Sequence, residues 1–362
     1  MNYNSIRRKT SEISVGGVKI GADSQISVQS MTNTDTHDTD ATERQVRALE
    51  EAGCDIVRLT APTLESCDTF AELKRRGIGI PLVADIHFNH KIAIRAAECG
   101  ADKIRINPGN IGTSDGVREV VAACRHHGIP IRIGVNAGSL ERSMLEKYGG
   151  RVPEALAESA LNHVQILERC GFYDIAISVK SSDVSTMIEA NRILAKRVDY
   201  PLHLGVTEAG ARARALVKSS IGVGTLLAEG IGDTVRISLT DDPVEEVSAA
   251  RLILDSLGLS KTRSMDVVSC PTCGRTKIGL IELAEEFERR AKEEGLDTLP
   301  VKVALMGCAV NGPGEASDAD IGIAGGVGEA LLFKKGKIIR KISEGDVIEA
   351  LIREIKEMFG KS

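Results

Sequence analysis

The sequence predicts an α/β protein in which an N-terminal (β/α)8 TIM barrel is followed by a small α+β domain. A unit of strand, polar loop, amphipathic helix and glycine recurs along the chain, and successive strands start from 22 residues apart (Pro81 to Lys103) to 43 residues apart (Ile131 to Asp174). Crossovers of this length join parallel strands. Aromatic residues make up only 3% of the chain, so aliphatic side chains must build the core, as in a barrel. The candidate strands begin near Ile26, Asp55, Pro81, Lys103, Ile131, Asp174, Pro201 and Thr234.

Segments before and after these strands complete the first domain. Residues 6–28 alternate polar and apolar side chains around glycines, which predicts a hairpin that caps a barrel mouth. The last barrel helix is expected to end at Gly258, and the polar run 260–264 then indicates a linker. We therefore expect a barrel domain over 1–259 and a second domain over 260–362.

The second domain is expected to combine a small sheet with two helices. Two cysteine-containing turns follow directly after two of its strands, which places both turns at strand ends. The expected strands are Asp266–Ser269, 301–306 and 320–323 together with a hairpin over 331–342, and the expected helices are 278–294 and 347–358.

Composition excludes some classes of function. The formal net charge of -5 argues against a nucleic-acid surface, since phosphate backbones attract basic faces. Residues 1–10 are polar and no apolar run follows them, so we expect no signal peptide or membrane anchor and a cytoplasmic location. Five cysteines among apolar or helical residues are expected to be small buried side chains without disulfides. They are Cys54, Cys67, Cys99, Cys124 and Cys170.

Polar side chains cluster where the barrel strands end. In a barrel these ends converge on one mouth, so four arginines and a lysine are expected to meet there. Buried arginines need an anion or a carboxylate, which predicts a phosphate-bearing ligand. Alternatively, Arg58, Arg105 and Arg236 pair internally with Asp85 and Glu208. The strand-end residues are Gln29, Ser30, Thr32, Arg58, Asp85, His87, Asn89, Arg105, Asn107, Arg132, Asn136, Ser178, Lys180, Thr207, Glu208, Arg236 and Ser238.

The second domain contains three cysteines suited to a metal centre. Cys270 and Cys273 are three positions apart, and Cys308 follows in a glycine-rich loop. Structural zinc usually takes four Cys or His ligands, and no histidine follows His203, so an iron-sulfur cluster is favoured over zinc. The fourth ligand could be a barrel cysteine, a non-thiolate such as Glu315, an outside atom, or nothing permanent.

In combination, five motifs resemble one enzyme family over nearly the whole chain. The chain is similar to the 4-hydroxy-3-methylbut-2-enyl diphosphate synthases of the methylerythritol phosphate pathway, in their two-domain bacterial form. The motifs are Cys270-Pro-Thr-Cys273-Gly-Arg275, Cys308-Ala-Val-Asn-Gly-Pro-Gly-Glu315, Val28-Gln-Ser-Met-Thr, Val83-Ala-Asp-Ile-His87-Phe and Leu204-Gly-Val-Thr-Glu208-Ala-Gly.

The resemblance implies an iron-sulfur oxidoreductase. The reaction would be the reductive dehydroxylation and ring opening of 2-C-methyl-D-erythritol 2,4-cyclodiphosphate, with flavodoxin or ferredoxin as electron donor. Cys270, Cys273 and Cys308 would hold a 4Fe-4S cluster in the second domain, and Glu315 would be its fourth ligand. Family members are homodimers, so a homodimer is expected here.

The resemblance also assigns roles to the barrel residues. Glu208 matches the position proposed for acid/base chemistry. The substrate-binding residues would be Arg58, Asp85, His87, Arg105, Asn107, Arg132, Asn136, Lys180, Arg236 and Ser238. Two rival functions stay open on the residues alone: a zinc-stapled barrel lyase acting on a phosphorylated sugar, and a cluster-based sensor that binds a partner.

Overall fold

The computed structural model describes residues 3–21, 23–107, 110–111, 114–260, 264–308 and 316–361. The predicted ligand Glu315 and residues 261–263 of the predicted linker lie outside the described residues. The chain divides into two compact units, residues 1–260 and 261–362.

The first unit is a barrel of eight parallel strands, which confirms the predicted fold class. The strands are hydrogen-bonded in the order β8-β7-β6-β5-β4-β3-β10-β9. A bridge between Ile177 and Leu202 joins β8 to the chain entering β9, with the Ile177 amide donating to Pro201 O at 2.9 Å. The barrel strands are β3 (Ser27–Met31), β4 (Ile56–Thr60), β5 (Leu82–Asp85), β6 (Lys103–Ile106), β7 (Ile131–Asn136), β8 (Ile175–Lys180), β9 (His203–Leu204) and β10 (Thr234–Val235).

Helices follow the barrel strands and bury their apolar faces against them. In α1, Asp38 caps the first turn by accepting from the Ala41 amide at 2.9 Å, and Val46 and Leu49 are fully buried. Truncating Leu49 to Ala would remove about 2–5 kcal/mol of stability. The helices are α1 (Thr39–Glu51), α2 (Asp68–Arg75), α3 (His90–Glu98), α4 (Ser114–His127), α5 (Arg142–Lys147), α6 (Val152–Arg169), α7 (Val184–Ala195), α8 (Arg212–Ala228) and α9 (Pro243–Ser256).

A hairpin precedes the barrel and closes the end at which the strands begin. Strands β1 (Ile13–Val15) and β2 (Val18–Ile20) pair antiparallel, as predicted. Their buried side chains form an apolar cluster with Ile56, Val83 and Ala176, which lie at the starts of three barrel strands. The cap is therefore at the opposite end from the polar strand ends.

In its described residues, the second unit is a five-stranded mixed sheet with two helices on one face. Strands β11, β12 and β13 are parallel, and β14 and β15 are antiparallel additions. Both helices pack on one apolar cluster, and a second cluster around Met306 and Phe333 lies on the other side. The elements are β11 (Asp266–Ser269), α10 (Leu280–Glu293), β12 (Lys302–Met306), β13 (Ile321–Gly325), β14 (Glu329–Lys334), β15 (Lys337–Ser343) and α11 (Val347–Phe359). Among the helices of the described residues, none is both long enough and apolar enough to cross a bilayer.

Candidate active site

Strand alternation sends one set of barrel side chains outward and the other set into the barrel. On β6, Ile104 and Ile106 belong to the core shared with the helices, so Lys103 and Arg105 face the interior. A barrel interior is usually filled by branched apolar side chains, whereas this one holds buried charges. Five predicted site residues are each less than a tenth exposed: Arg58, Asp85, Arg105, Arg132 and Lys180.

Asp85 lies between two of the buried arginines. Its Oδ1 atom is 3.1 Å from Arg105 Nη1, and its Oδ2 atom is 3.8 Å from Arg58 Nε. Burial by itself would raise the pKa of this carboxyl, but the guanidinium groups outweigh burial and lower the pKa to about 2. The internal-pairing alternative is thus confirmed for Arg58 and Arg105 with Asp85. One carboxylate offsets only one of these two positive charges.

Arg236 has a partner that the internal-pairing alternative did not include. Its Nε atom is 3.7 Å from Glu246 Oε2, so the alternative in which Asp85 or Glu208 pairs with Arg236 is wrong. Glu246 is buried on α9 and also accepts from Ser30 Oγ at 2.9 Å and from the Leu239 amide at 3.1 Å. These bonds fix the carboxylate beneath the strand end. Glu208 is exposed.

Three more interior cations form no ion pair with a carboxylate of the described residues. Arg132 is fully buried, and its Nη1 atom donates to Gln29 Oε1 at 3.2 Å. Within the described part of the chain, Arg132 Nε and Nη2, Lys180 Nζ and Lys103 Nζ have no hydrogen-bond partner. Burial, reinforced by neighbouring arginines, holds the pKa of both lysines well below the ordinary value. The interior therefore favours an anionic ligand.

Lys103 is an interior cation that was not among the predicted site residues. It is the first residue of β6, whereas the prediction considered only side chains at strand ends. Lys103 and Arg105 are two positions apart, so alternation puts both on the same face of the strand. That spacing is the sequence signal that identifies Lys103.

The remaining predicted residues lie at the rim, and His87 among them bonds directly to one of the cations. His87 is exposed, and its Nε2 atom is 3.3 Å from Arg105 Nη1. Glu208 and Phe88 have φ of 51° and 62°, a left-handed conformation that costs non-glycine residues about 1–3 kcal/mol. Strain of this kind concentrates at functional sites. The half-buried rim residues are Asn107, Asn136, Arg236 and Ser238.

The three predicted metal-binding cysteines lie on two loops that contact each other. The Gly307 amide donates to Cys270 Sγ at 3.2 Å, which places Cys270 beside the residue preceding Cys308. Hydrogen bonds from the backbone and side chain of Arg275 lower the pKa of the exposed Cys273 thiol, which favours the thiolate that binds metal. Across the described residues, no group of three His, Cys, Asp or Glu is already arranged to hold a metal ion.

The other cysteines differ from these three in their surroundings. Cys54, Cys67, Cys99 and Cys124 are buried and Cys170 is half-buried, and all five are free thiols. Burial raises the pKa of Cys54, Cys67 and Cys124 to about 12, so these thiols stay protonated and unreactive.

Comparison with protein families decides what kind of chain this is. The GcpE TIM-barrel domain matches residues 10–251, and the GcpE protein C-terminal domain matches residues 266–357.

The chain belongs to the GcpE family.

GcpE relatives match the chain over almost its full length. Proteins of Caldanaerobacter subterraneus subsp. tengcongensis and Ruminiclostridium cellulolyticum are each 56% identical to it, over 98% and 97% of this chain and 98% of each relative. Both are named 4-hydroxy-3-methylbut-2-en-1-yl diphosphate synthase (flavodoxin). The resemblance inferred from the motifs is confirmed, and the chain is an enzyme.

A solved structure outside the GcpE family shares the fold. Dihydropteroate synthase of Xanthomonas albilineans superposes with a TM-score of 0.50 at 13% identity, covering 69% of this chain and 97% of that chain. At this identity the likeness concerns the barrel architecture alone.

Proposed function

We propose that this chain catalyses the reductive ring opening of 2-C-methyl-D-erythritol 2,4-cyclodiphosphate to 4-hydroxy-3-methylbut-2-enyl diphosphate in non-mevalonate isoprenoid biosynthesis. The shared name of its GcpE relatives supports this reaction and not the zinc-stapled lyase. The observation that carries the proposal is the excess of buried positive charge inside the barrel, which a cyclic diphosphate would neutralise.

The barrel cations would bind the two phosphates. Arg132 and Lys180 have buried donors that no group of the described residues satisfies, and Arg58 and Arg105 share Asp85 and so retain donors for phosphate. Asp85 and Glu246 would hold the guanidinium groups in place. The side chains of His87, Asn107, Asn136, Arg236 and Ser238 would contact the substrate from the rim.

The cysteine loops of the second unit would hold a 4Fe-4S cluster. The donors fit this group: three cysteines lie on two contacting loops, one sulfur already accepts a backbone N–H, and one thiol is biased towards thiolate. Cys270, Cys273 and Cys308 would be the thiolate ligands. Glu315 would be the fourth ligand, as a carboxylate oxygen that exchanges more easily than thiolate.

The reaction takes up two electrons and two protons and releases water. A bound cluster supplies electrons one at a time, and the protein must supply protons and fix the substrate. Glu208 would exchange protons as the acid/base group, because it is an exposed carboxylic acid on the loop after β9. The barrel cations would hold the diphosphate leaving oxygen as charge develops on it.

We also propose a one-electron donor, flavodoxin or ferredoxin, a homodimer, and a cytoplasmic location. The names of the relatives support flavodoxin as the donor, and the free thiols suit a reducing compartment.

The proposed homodimer can be examined by mixing Cys270→Ser and Glu208→Gln subunits. Sites shared between subunits should restore part of the activity in heterodimers. Heterodimers that are inactive although their Glu208→Gln subunit retains its iron would contradict active sites shared between subunits.

The proposal is tested by anaerobic purification, an absorption spectrum, an iron assay and turnover with reduced flavodoxin. We expect a coloured, iron-containing protein that forms product only when reductant is present. Colourless protein containing zinc would contradict the cluster, and coloured protein without turnover would favour the sensor function.

Glu315→Gln should keep the three thiolate ligands but alter the Mössbauer signal of one iron and reduce turnover.

A further inference from the structure

Gly134 lies at an interior position of β7, directly beside the guanidinium group of Arg105. A Cβ atom at Gly134 would lie 2.3 Å from Arg105 Nε and 2.6 Å from Arg105 Nη2. Real Cβ atoms essentially never approach another heavy atom closer than 3.0 Å. Any side chain at position 134 would therefore force Arg105 to move.

The position of Arg105 depends on both neighbouring strands. Its Nη1 atom binds Asp85 on β5 at 3.1 Å, and its Nη2 atom is 3.4 Å from the carbonyl oxygen of Gly134 on β7. The guanidinium group of Arg105 thus contacts the strands on both sides of β6, and it packs directly against the backbone of Gly134.

The backbone of β7 does not itself require glycine at this position. Gly134 is not among the glycines with positive φ, and it pairs in register with Ser178 of β8. Glycine weakens a strand interior, and there it often marks a close approach of another group. The close group here is Arg105.

We propose that Gly134 is a positioning residue for the substrate diphosphate, because its missing side chain lets Arg105 lie across β7 with its donors directed to a phosphate. This inference rests on the proposed function. A second glycine shows the same relation: a Cβ at Gly205 would lie 2.9 Å from Lys180 Nζ. It would also lie 2.5 Å from the backbone oxygen of Arg236, so Gly134 offers the cleaner test.

The test is a double-mutant cycle on the cluster-loaded protein. Affinity for the cyclodiphosphate is measured by calorimetry for the wild type, Gly134→Ala, Arg105→Leu and the double variant. We expect about tenfold weaker binding in Gly134→Ala, since a displaced guanidinium loses one charge-assisted bond. The methyl group should have little further effect once Arg105 is gone, so the double variant should match Arg105→Leu.

Two controls separate positioning from general damage. Gly138→Ala, in the turn after β7 where no atom lies within 4 Å of the added Cβ, should bind like the wild type. Thermal stability of Gly134→Ala should fall by no more than that of Arg105→Leu, because displacing the guanidinium group at most breaks the same buried pair with Asp85. In steady-state assays, KM should rise in Gly134→Ala while kcat changes less.

The outcomes distinguish this inference from the proposed function. If Arg105→Leu weakens binding but Gly134→Ala does not, the positioning role is wrong and the phosphate role of Arg105 stands. If the two effects add in the double variant, Gly134 acts independently of Arg105 and the inference fails. If neither variant changes affinity, both the positioning role and the phosphate role of Arg105 fail.

Discussion

The barrel and the cysteine unit prepare for their ligands in opposite ways. In the barrel, charged groups are buried on strands, and Asp85 and Glu246 hold several of them before any ligand arrives. In the second unit, the cysteines lie on loops that are half-buried or exposed, and they form no ready metal site within the described residues. Under the proposed function, the barrel is thus preorganised for an anion, whereas the cysteine loops would be organised by the cluster that they bind.

The buried cations of the barrel and the exposed thiols of the second unit contribute differently to the stability of the free protein. Burying unbalanced cations destabilises the free barrel, and an anionic ligand returns that energy on binding. Exposed thiols carry little such cost, so the arrangement of the three cysteines would depend on the proposed metal centre. Changes in the barrel should therefore alter stability and affinity together, while changes to the cysteines should alter metal content and leave the barrel folded.

The largest effect is expected from removing a cysteine. Cys273→Ser should lose most of its iron, because an anchoring thiolate is replaced by a hydroxyl that binds iron poorly. Cys170→Ser, which changes a half-buried thiol of the barrel unit, should keep its iron. Iron analysis and circular dichroism check both variants. Full iron content in Cys273→Ser would refute its role as a ligand.

The next largest effect is expected at Asp85. Asp85→Asn leaves Arg58 and Arg105 without their carboxylate, which should cost about 3–5 kcal/mol of unfolding free energy. Asp115→Asn, which breaks an exposed pair with Arg118, should cost less than about 1 kcal/mol. Urea titrations measure both, and pyrophosphate should stabilise Asp85→Asn more than the wild type. Equal stability of the two variants would mean that the barrel cations need no internal carboxylate.

Arg105→Leu should weaken binding of the cyclodiphosphate by about 2–4 kcal/mol, because a buried charge-assisted contact is lost. The fold should survive. Calorimetric affinity and thermal melting distinguish the two possible roles. Unchanged affinity with a collapse in thermal stability would assign Arg105 to the internal ion pair with Asp85 alone.

The smallest effect is a dependence of stability on pH. The pKa of Lys103 is lowered in the folded protein by burial and by Arg132, and it returns to its ordinary value of 10.5 on unfolding. At pH values between these two pKa values, the unfolded chain therefore binds more protons than the folded protein. The unfolding free energy should rise with pH through that window. Lys103→Met should reduce the slope of the unfolding free energy against pH by about 1.4 kcal/mol per pH unit. An unchanged slope in urea titrations over this range would show that Lys103 stays charged in the folded state.

Much of the barrel was predictable because its signals are local. Thr234 and Lys103 begin strands where the sequence placed them, and strand β4 begins at Ile56, one residue after the predicted start. Parallel strands bring their ends together, so the strand-end pattern identified the buried Arg58, Arg105, Arg132 and Lys180, though not Lys103, without knowledge of any contact. Apolar and polar periodicity is sufficient for such features.

Other features depend on contacts that no local pattern encodes. Glu246 lies on α9, and its pairing with Arg236 follows from how that helix packs under the strand end. Gly134 resembles an ordinary weak strand residue until the position of Arg105 is known. The role of Glu315 stays a prediction, since that residue lies outside the described part of the chain.

The most direct measurement compares cyclodiphosphate binding to the cluster-loaded wild type and to Cys270→Ser, which should lack the cluster. If the barrel is preorganised for the diphosphate, calorimetry should show affinities within about tenfold of each other, while turnover in Cys270→Ser is abolished. Loss of measurable binding in a Cys270→Ser protein whose barrel is still folded would contradict the account, because the anion site would then depend on the metal centre.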